Sequence, residues 1–349
     1  MLLSVAFPTV TQGFLAPVVR FRWWLTSAAL LLVGCAGPFP QSTLQPRSDF
    51  ARATDVLFTE ILWWAAVVFV LVELVLVVTL VRFRHREGRP APTPTHGHTI
   101  MEIAWTLAPA VILVFVAVPT VRTIFSTAGD APADALKVEV IGHQWWWEYR
   151  YPELGIVTAD EMHLPVGKPV QVAITSADVI HSFWAPALGG KRDAIPGRVN
   201  RIAFRADSVG DYSGQCAEFC GASHANMRLQ VVVESQPAFQ AWADAQKAAA
   251  AAPAKGSLAE QGRAVYGRSA CIGCHTIQGV SPGIIGPNLT HVGSRTTLAG
   301  GIFPNDSAHL ASWIADAPAL KPGSIMTRMK PPLSDADIAA LVAYLESLK

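Results

Sequence analysis

Cys216-Ala-Glu-Phe-Cys-Gly-Ala-Ser-His-Ala-Asn-Met227 is the stretch on which the reading of this chain turns. It sets two cysteines four apart, a histidine four further on and a methionine three after that. Upstream, Val-Ile-His181-Ser-Phe-Trp adds a second imidazole. Thiolate, imidazole and thioether together suit copper, because soft sulfur favours Cu(I) while imidazole binds both copper states. A single blue-copper centre uses one cysteine, two histidines and a weak methionine. The second cysteine is surplus for one ion, and a pair of thiolates can bridge two metals. Two other readings are open: a disulfide between Cys216 and Cys220 in an oxidising compartment, and a zinc site.

The run resembles the copper-binding loop of cytochrome c oxidase subunit II, which holds the dinuclear CuA centre. The resemblance implies that Cys216 and Cys220 bridge the coppers and that His181 and His224 each bind one. It makes Met227 and the backbone carbonyl of Glu218 the weak outer ligands. Asp193-Ala-Ile-Pro-Gly-Arg198 matches the same family, in a stretch that faces the catalytic subunit near a bound magnesium. There the carboxylate of Glu218 would serve the magnesium, whose other ligands belong to a different chain.

The 349 residues leave room for two or three domains. With 51% hydrophobic and only 15% charged residues, the chain is apolar for a soluble protein and suggests membrane segments. A net charge of +1 gives no sign of a nucleic-acid partner. Each of the five cysteines (Cys35, Cys216, Cys220, Cys271 and Cys274) falls inside a motif, so none is left over for a structural disulfide.

Arg20-Phe-Arg22 precedes an apolar run that ends Leu32-Val-Gly-Cys35, the pattern of a secretory signal. Leu-Val-Gly-Cys also looks like a bacterial lipobox, which implies cleavage before Cys35 and lipidation of its thiol; a plain signal peptide is the alternative. The long stretch before Arg20 allows a start codon downstream of Met1. From Ile61 to Val81 the chain is apolar except for Glu73 and Thr79, and at about 1.5 Å per residue it spans roughly 30 Å, one hydrocarbon core. A second run goes from Ile103 to Val121. Between them, Arg82-Phe-Arg-His-Arg-Glu-Gly-Arg89 sets four arginines against one glutamate, which marks a cytoplasmic loop. Both ends of the hairpin then face outward. Glu73, mid-membrane, is read as protonated or packed against a partner subunit. Glu102, in Met-Glu-Ile-Ala-Trp-Thr-Leu-Ala-Pro, also resembles the family, where the matching glutamate lies at the mouth of a proton pathway in the catalytic subunit. A helix-end charge is the plainer reading.

From Leu136 the texture changes to short alternating runs: Lys137–Ile141, Val170–Ile174, Arg198–Phe204 and Leu229–Val233. They predict a β-sandwich with the ligand loop between two of the last strands, the cupredoxin plan. Gly142-His-Gln-Trp-Trp-Trp-Glu-Tyr-Arg-Tyr151 carries five aromatics in ten residues, too many together for a plain core strand. It is similar to the aromatic region of subunit II, where a surface tryptophan takes in electrons; Trp145 is the matching position. After Glu234 an alanine-rich segment predicts a partly helical, then flexible, linker.

Cys271-Ile-Gly-Cys-His275 reads as covalent c-type haem attachment, the thiols adding to the vinyls and the histidine binding iron. A thioredoxin-like motif is disfavoured, because no βαβ setting surrounds it. A helical pattern from Leu258 to Tyr266 and a closing amphipathic helix capped by Ser334 are similar to a class I cytochrome c. Lys321-Pro-Gly-Ser-Ile-Met326 resembles that family's ligand loop, so Met326 is expected as the second axial ligand, with Met329 the alternative.

The expected architecture is multidomain: a signal at 1–34, an outer segment at 35–58, a transmembrane hairpin at 59–122, an all-β copper domain at 133–235, a linker at 236–256 and an all-α cytochrome domain at 257–349. The expected function is subunit II of a haem–copper oxidase that reduces dioxygen to water. Its expected partners are catalytic subunit I, subunit III, membrane lipid and a cytochrome c or other donor, at a bacterial plasma membrane with both redox domains on the periplasmic side. The rival reading is a membrane-tethered carrier serving another terminal reductase. A copper-delivery protein has no use for a haem, and the related quinol oxidase subunit lacks the copper ligands.

Overall fold

The computed structural model describes residues 39–85, 87–88, 94, 96–326 and 333–349. The segment read as a secretory signal, with Cys35, lies outside them, as does Met329. Two long helices come first, α1 (Asp49–Arg82) and α2 (Thr99–Thr127). Ser48 caps α1 by accepting the N–H of Ala51, and Asp49 follows in the first turn, where the helix dipole favours a carboxylate. The helices therefore run beyond the apolar segments, from 49 to 127 rather than 59 to 122. Their most apolar windows have mean hydropathies of 2.8 and 2.2 and bury nothing within the chain. Such faces suit lipid or a partner helix and not water. Pro109 and Pro119 lie inside α2, a placement that membrane spans tolerate.

The base of α1 is fastened to the β domain. Asp49 accepts the backbone N–H of Arg205 at 2.8 Å, and Arg52 pairs with Asp207. Ten strands form two five-stranded sheets. One runs β3 (Ile156–Ala159), β2 (Trp146–Tyr151), β1 (Leu136–His143), β5 (Pro169–Ser176), β8 (Asn200–Arg205). The other runs β4 (Glu161–Pro165), β10 (Arg228–Glu234), β9 (Gly210–Cys216), β6 (His181–Trp184), β7 (Arg192–Ala194). The β1–β5 and β4–β10 pairs are parallel and the rest antiparallel. Alternation drives the fold: Val138, Val140, Val170, Val172 and Ile174 point inward and are fully buried, while their neighbours face out.

The expected linker begins later than the composition predicts. Gln236–Lys247 forms α3, whose Phe239 and Ala243 are buried in the sandwich core. Trp242 stacks on His163 at 4.3 Å, so this helix belongs to the copper domain. The final part carries α4 (Leu258–Arg268), one helical turn at Cys271–Cys274, α5 (Ser307–Leu320) and α6 (Asp335–Ser347). Leu341, Val342, Tyr344 and Leu345 of α6 are buried, the face its periodicity predicts, and Tyr344 meets Tyr266 of α4 at 5.9 Å.

Candidate copper and haem sites

β9 ends at Cys216 and β10 begins at Arg228, so the ligand loop hangs between two paired strands. His181 opens β6, beside β9 in the same sheet. The sheet thereby brings residues 35 positions apart to one place: Cys216 Sγ and His181 Nδ1 are 3.9 Å apart. The ligand atoms of His181, Cys216 and Cys220 all lie within 4.8 Å of one another. The other three expected residues join them. His224 Nδ1 is 3.5 Å and Met227 Sδ 3.8 Å from Cys220 Sγ, and the Glu218 carbonyl is 3.3 Å from Cys216 Sγ.

This donor set fits copper. The two sulfurs are 3.8 Å apart and both thiols are free, so the cysteines are not joined as a disulfide. A fully buried thioether beside two thiolates and two imidazoles exceeds what tetrahedral zinc takes and matches soft copper ligation. The thiols share a proton unequally. The hydrogen bond with Cys220 holds the Cys216 thiol well below its usual range against the cost of burial, and Cys220 is pushed up because it keeps its proton beside the Cys216 thiolate.

Four supporting contacts escaped the sequence reading. Asp178 binds His181 Nε2 at 2.7 Å, which fixes the ring and turns Nδ1 toward the sulfurs. Burial opposes charge on His181, the Asp178 contact favours it, and the net pKa is raised. Gln144 Nε2 and Trp145 Nε1 both donate to the Cys220 carbonyl, at 2.8 and 2.9 Å. Gly142 leaves room for the ring of His181, which would stand 2.8 Å from a Cβ there. An aspartate three residues before a ligand histidine was the available signal for Asp178.

Cys271, Cys274, His275 and Met326 line one cavity of about 230 Å³. His275 donates Nδ1–H to the Pro287 carbonyl at 2.9 Å, which leaves Nε2 as its free lone pair. Burial lowers its pKa and keeps the ring neutral, as metal ligation requires. A Cβ on Gly286 would stand 2.6 Å from the His275 ring, so glycine is needed beside the imidazole. Arg295 lines the cavity as well, with Nη2 on the Asn288 carbonyl and a buried Nε lacking a partner. A cationic group held in an apolar pocket fits the carboxylates of a haem.

Trp145, expected at the surface, is 8% exposed. The cytochrome domain covers it: its indole lines the haem cavity, and its backbone carbonyl accepts from Lys321 Nζ at 2.6 Å. Trp147 is fully buried core, whereas Trp146 stacks on His143 at 4.2 Å. Glu102 is exposed in the first turn of α2 and accepts the N–H of His98 at 3.2 Å. Glu218 is exposed beside the copper loop.

Residues 154–236 match the family model for the periplasmic domain of cytochrome c oxidase subunit II, and residues 41–123 match its transmembrane domain. Residues 259–349 match the cytochrome c model. Cytochrome c oxidase subunit 2 of Alkalihalophilus pseudofirmus is 36% identical over 331 residues, which cover 93% of this chain and 96% of that protein. The chain belongs to the cytochrome c oxidase subunit II family. The Bacillus subtilis subunit 2 is similar at 34% identity, again over 93% of this chain and 96% of the relative. Among solved structures, the periplasmic domain of subunit II of cytochrome oxidase from Bradyrhizobium japonicum shares 36% identity, covering 34% of this chain and 96% of its own, with a TM-score of 0.33. The chain is thus the electron-accepting subunit of a haem–copper oxidase, extended by a cytochrome c domain, with a catalytic subunit as its partner. Copper and haem c are the groups its domains imply, and two apolar helices anchor an external domain to the membrane.

Proposed function

We propose that this chain accepts electrons from an external donor at the haem cavity and hands them through its copper site to the catalytic subunit. Cys216 and Cys220 would hold a dinuclear copper centre through their shared thiolates, with His181 and His224 each binding copper and Met227 and the Glu218 carbonyl as weak outer ligands. Cys271 and Cys274 would hold haem c through thioether links, and His275 and Met326 would hold its iron. Bound copper and haem supply reversible one-electron storage, and the polypeptide sets their spacing, burial and ligation. The observation that carries the reading is the position of Trp145, which lines the haem cavity and donates to the carbonyl of Cys220. Its indole is therefore the internal bridge between the two sites.

The same reading assigns finer roles. The domain limits follow the expected ones, except that the helical hairpin extends over 49–127 and α3 joins the copper domain. The exposed carboxylate of Glu218 serves a magnesium shared with the catalytic subunit, and Asp193–Arg198 faces that subunit. Glu102 stands at the mouth of its proton pathway as well as capping α2, and the complex translocates protons. Subunit III is a further partner, and a cytochrome c the donor. The chain lies in a bacterial plasma membrane with its redox domains on the periplasmic side, tethered by a lipidated Cys35 after removal of a signal peptide. Metal analysis and electron paramagnetic resonance of the purified complex test the core assignment. The expected result is two coppers and one c-type haem per chain with a mixed-valence copper spectrum. A single copper with a blue-copper signal overturns the dinuclear site.

A further inference from the structure

A seam of buried charge joins the copper domain to the cytochrome domain. Asp160, between β3 and β4, and Glu161, the first residue of β4, are 4% and 2% exposed. One oxygen of Glu161 accepts from the backbone N–H and the hydroxyl of both Thr296 and Thr297, at 2.7 to 2.9 Å. Asp160 is held in the left-handed region at φ 63° and reaches both ways: Oδ1 accepts from Trp147 N–H, and Oδ2 from Gly300 N–H across the boundary. Lys321, 3% exposed, answers from the other side, its Nζ donating to Trp145 of the copper domain and to Ala299 of its own, both at 2.6 Å. Two further bonds flank these: Arg228 N–H to the Gly300 carbonyl, and the Ser223 hydroxyl to the Pro322 carbonyl.

We infer that Asp160, Glu161 and Lys321 clamp the cytochrome domain onto the copper domain as one fixed body, and that they are positioning residues for internal electron transfer. The inference rests on the proposed route from haem cavity to copper. Brief redox encounters use small contacts. This seam instead removes two carboxylates and an ammonium from water and gives each a hydrogen-bonding partner on the opposite domain. Burying charge is costly unless its partners are in place, so the docked geometry is sharply favoured over near misses. Because the lysine holds the backbone of Trp145, the clamp fixes a ring that touches both sites. It also closes the face of Trp145 to a soluble donor.

The test uses the intact oxidase complex carrying Glu161→Ala or Lys321→Met, with Glu161→Gln as the conservative variant. After rapid reduction of the haem, internal transfer to copper should slow by about tenfold or more in the first two, since small misplacements of reacting groups have effects of this size or greater. In Glu161→Ala the haem potential and the copper resonance should match wild type, and Glu161→Gln, which keeps an accepting oxygen, should recover most of the rate. Trypsin cleavage in the linker at Lys255 should leave the haem fragment bound in wild type and release it from Glu161→Ala. Unchanged transfer in both Glu161→Ala and Lys321→Met with the sites loaded overturns the clamp. So does loss of the haem or copper spectrum in every variant, because the residues would then build the sites and not position them. Failure of the underlying route would show separately, as a wild-type protein without the mixed-valence signal.

Discussion

Asp178 makes one contact that the copper motif alone does not reveal: it holds the far nitrogen of His181 while the near one faces the sulfurs. Removing such a supporting carboxylate typically weakens metal binding by about 10- to 100-fold. Asp178→Ala should therefore lose copper to a competing chelator at correspondingly lower concentration while keeping both thiolates, and unchanged affinity would contradict the role. At the haem, Met326→Ala should leave the group attached, because Cys271 and Cys274 hold it, but should lower its potential by removing the thioether. Oxygen consumption with a donor of ordinary cytochrome potential should fall, while Met329→Ala should change neither quantity. The reverse pattern would make Met329 the ligand. These candidate residues stand out in the sequence because soft donors at fixed short spacings serve little besides metal binding and haem attachment. Asp178, Gln144 and Arg295 were not, because their roles depend on which distant segment folds against them.

At the level of elements, alternation and capping are legible where one face is buried. β1 and β5 follow the period-two pattern, and Ser334 caps α6 by accepting the N–H of Asp337. The departure at α3 has a physical cause: an alanine-rich, polar stretch resembles a linker until Phe239 and Trp242 find the sandwich. The seam between the domains was equally hidden, since Glu161, Thr296 and Lys321 look like ordinary surface residues one at a time. Lys321 offers a test by pH. Burial pushes it down to about 8 from 10.5, with Asp160 working the other way. The folded chain thus releases this proton before the unfolded chain does, so protonation of Lys321 opposes folding below about 8, and that cost fades as the pH rises from 8 to 10.5. Thermal unfolding followed at the haem should show wild type gaining on Lys321→Met across that window. A constant gap would mean the amine titrates normally.

For the molecule as a whole, the two helices, the sandwich and the cytochrome domain set an electron path running from outside to the membrane. Protease added to the outer face of spheroplasts should cut beyond residue 135 and spare the Arg82–Arg89 loop; cutting in that loop would invert the topology. The domain count and order were legible from texture alone, because an apolar hairpin, a period-two region and a C-x-x-C-H module differ in composition. How closely the last two are joined was not, and the burial of Trp145 results from that join. The order of reduction tests the path most directly. Oxidised complex is mixed without oxygen with a reduced soluble cytochrome c, and the haem and copper absorbances are followed in time. Haem absorbance should rise first and the copper band should fall afterwards at the expense of reduced haem, and a copper band that falls while the haem stays oxidised would contradict the account.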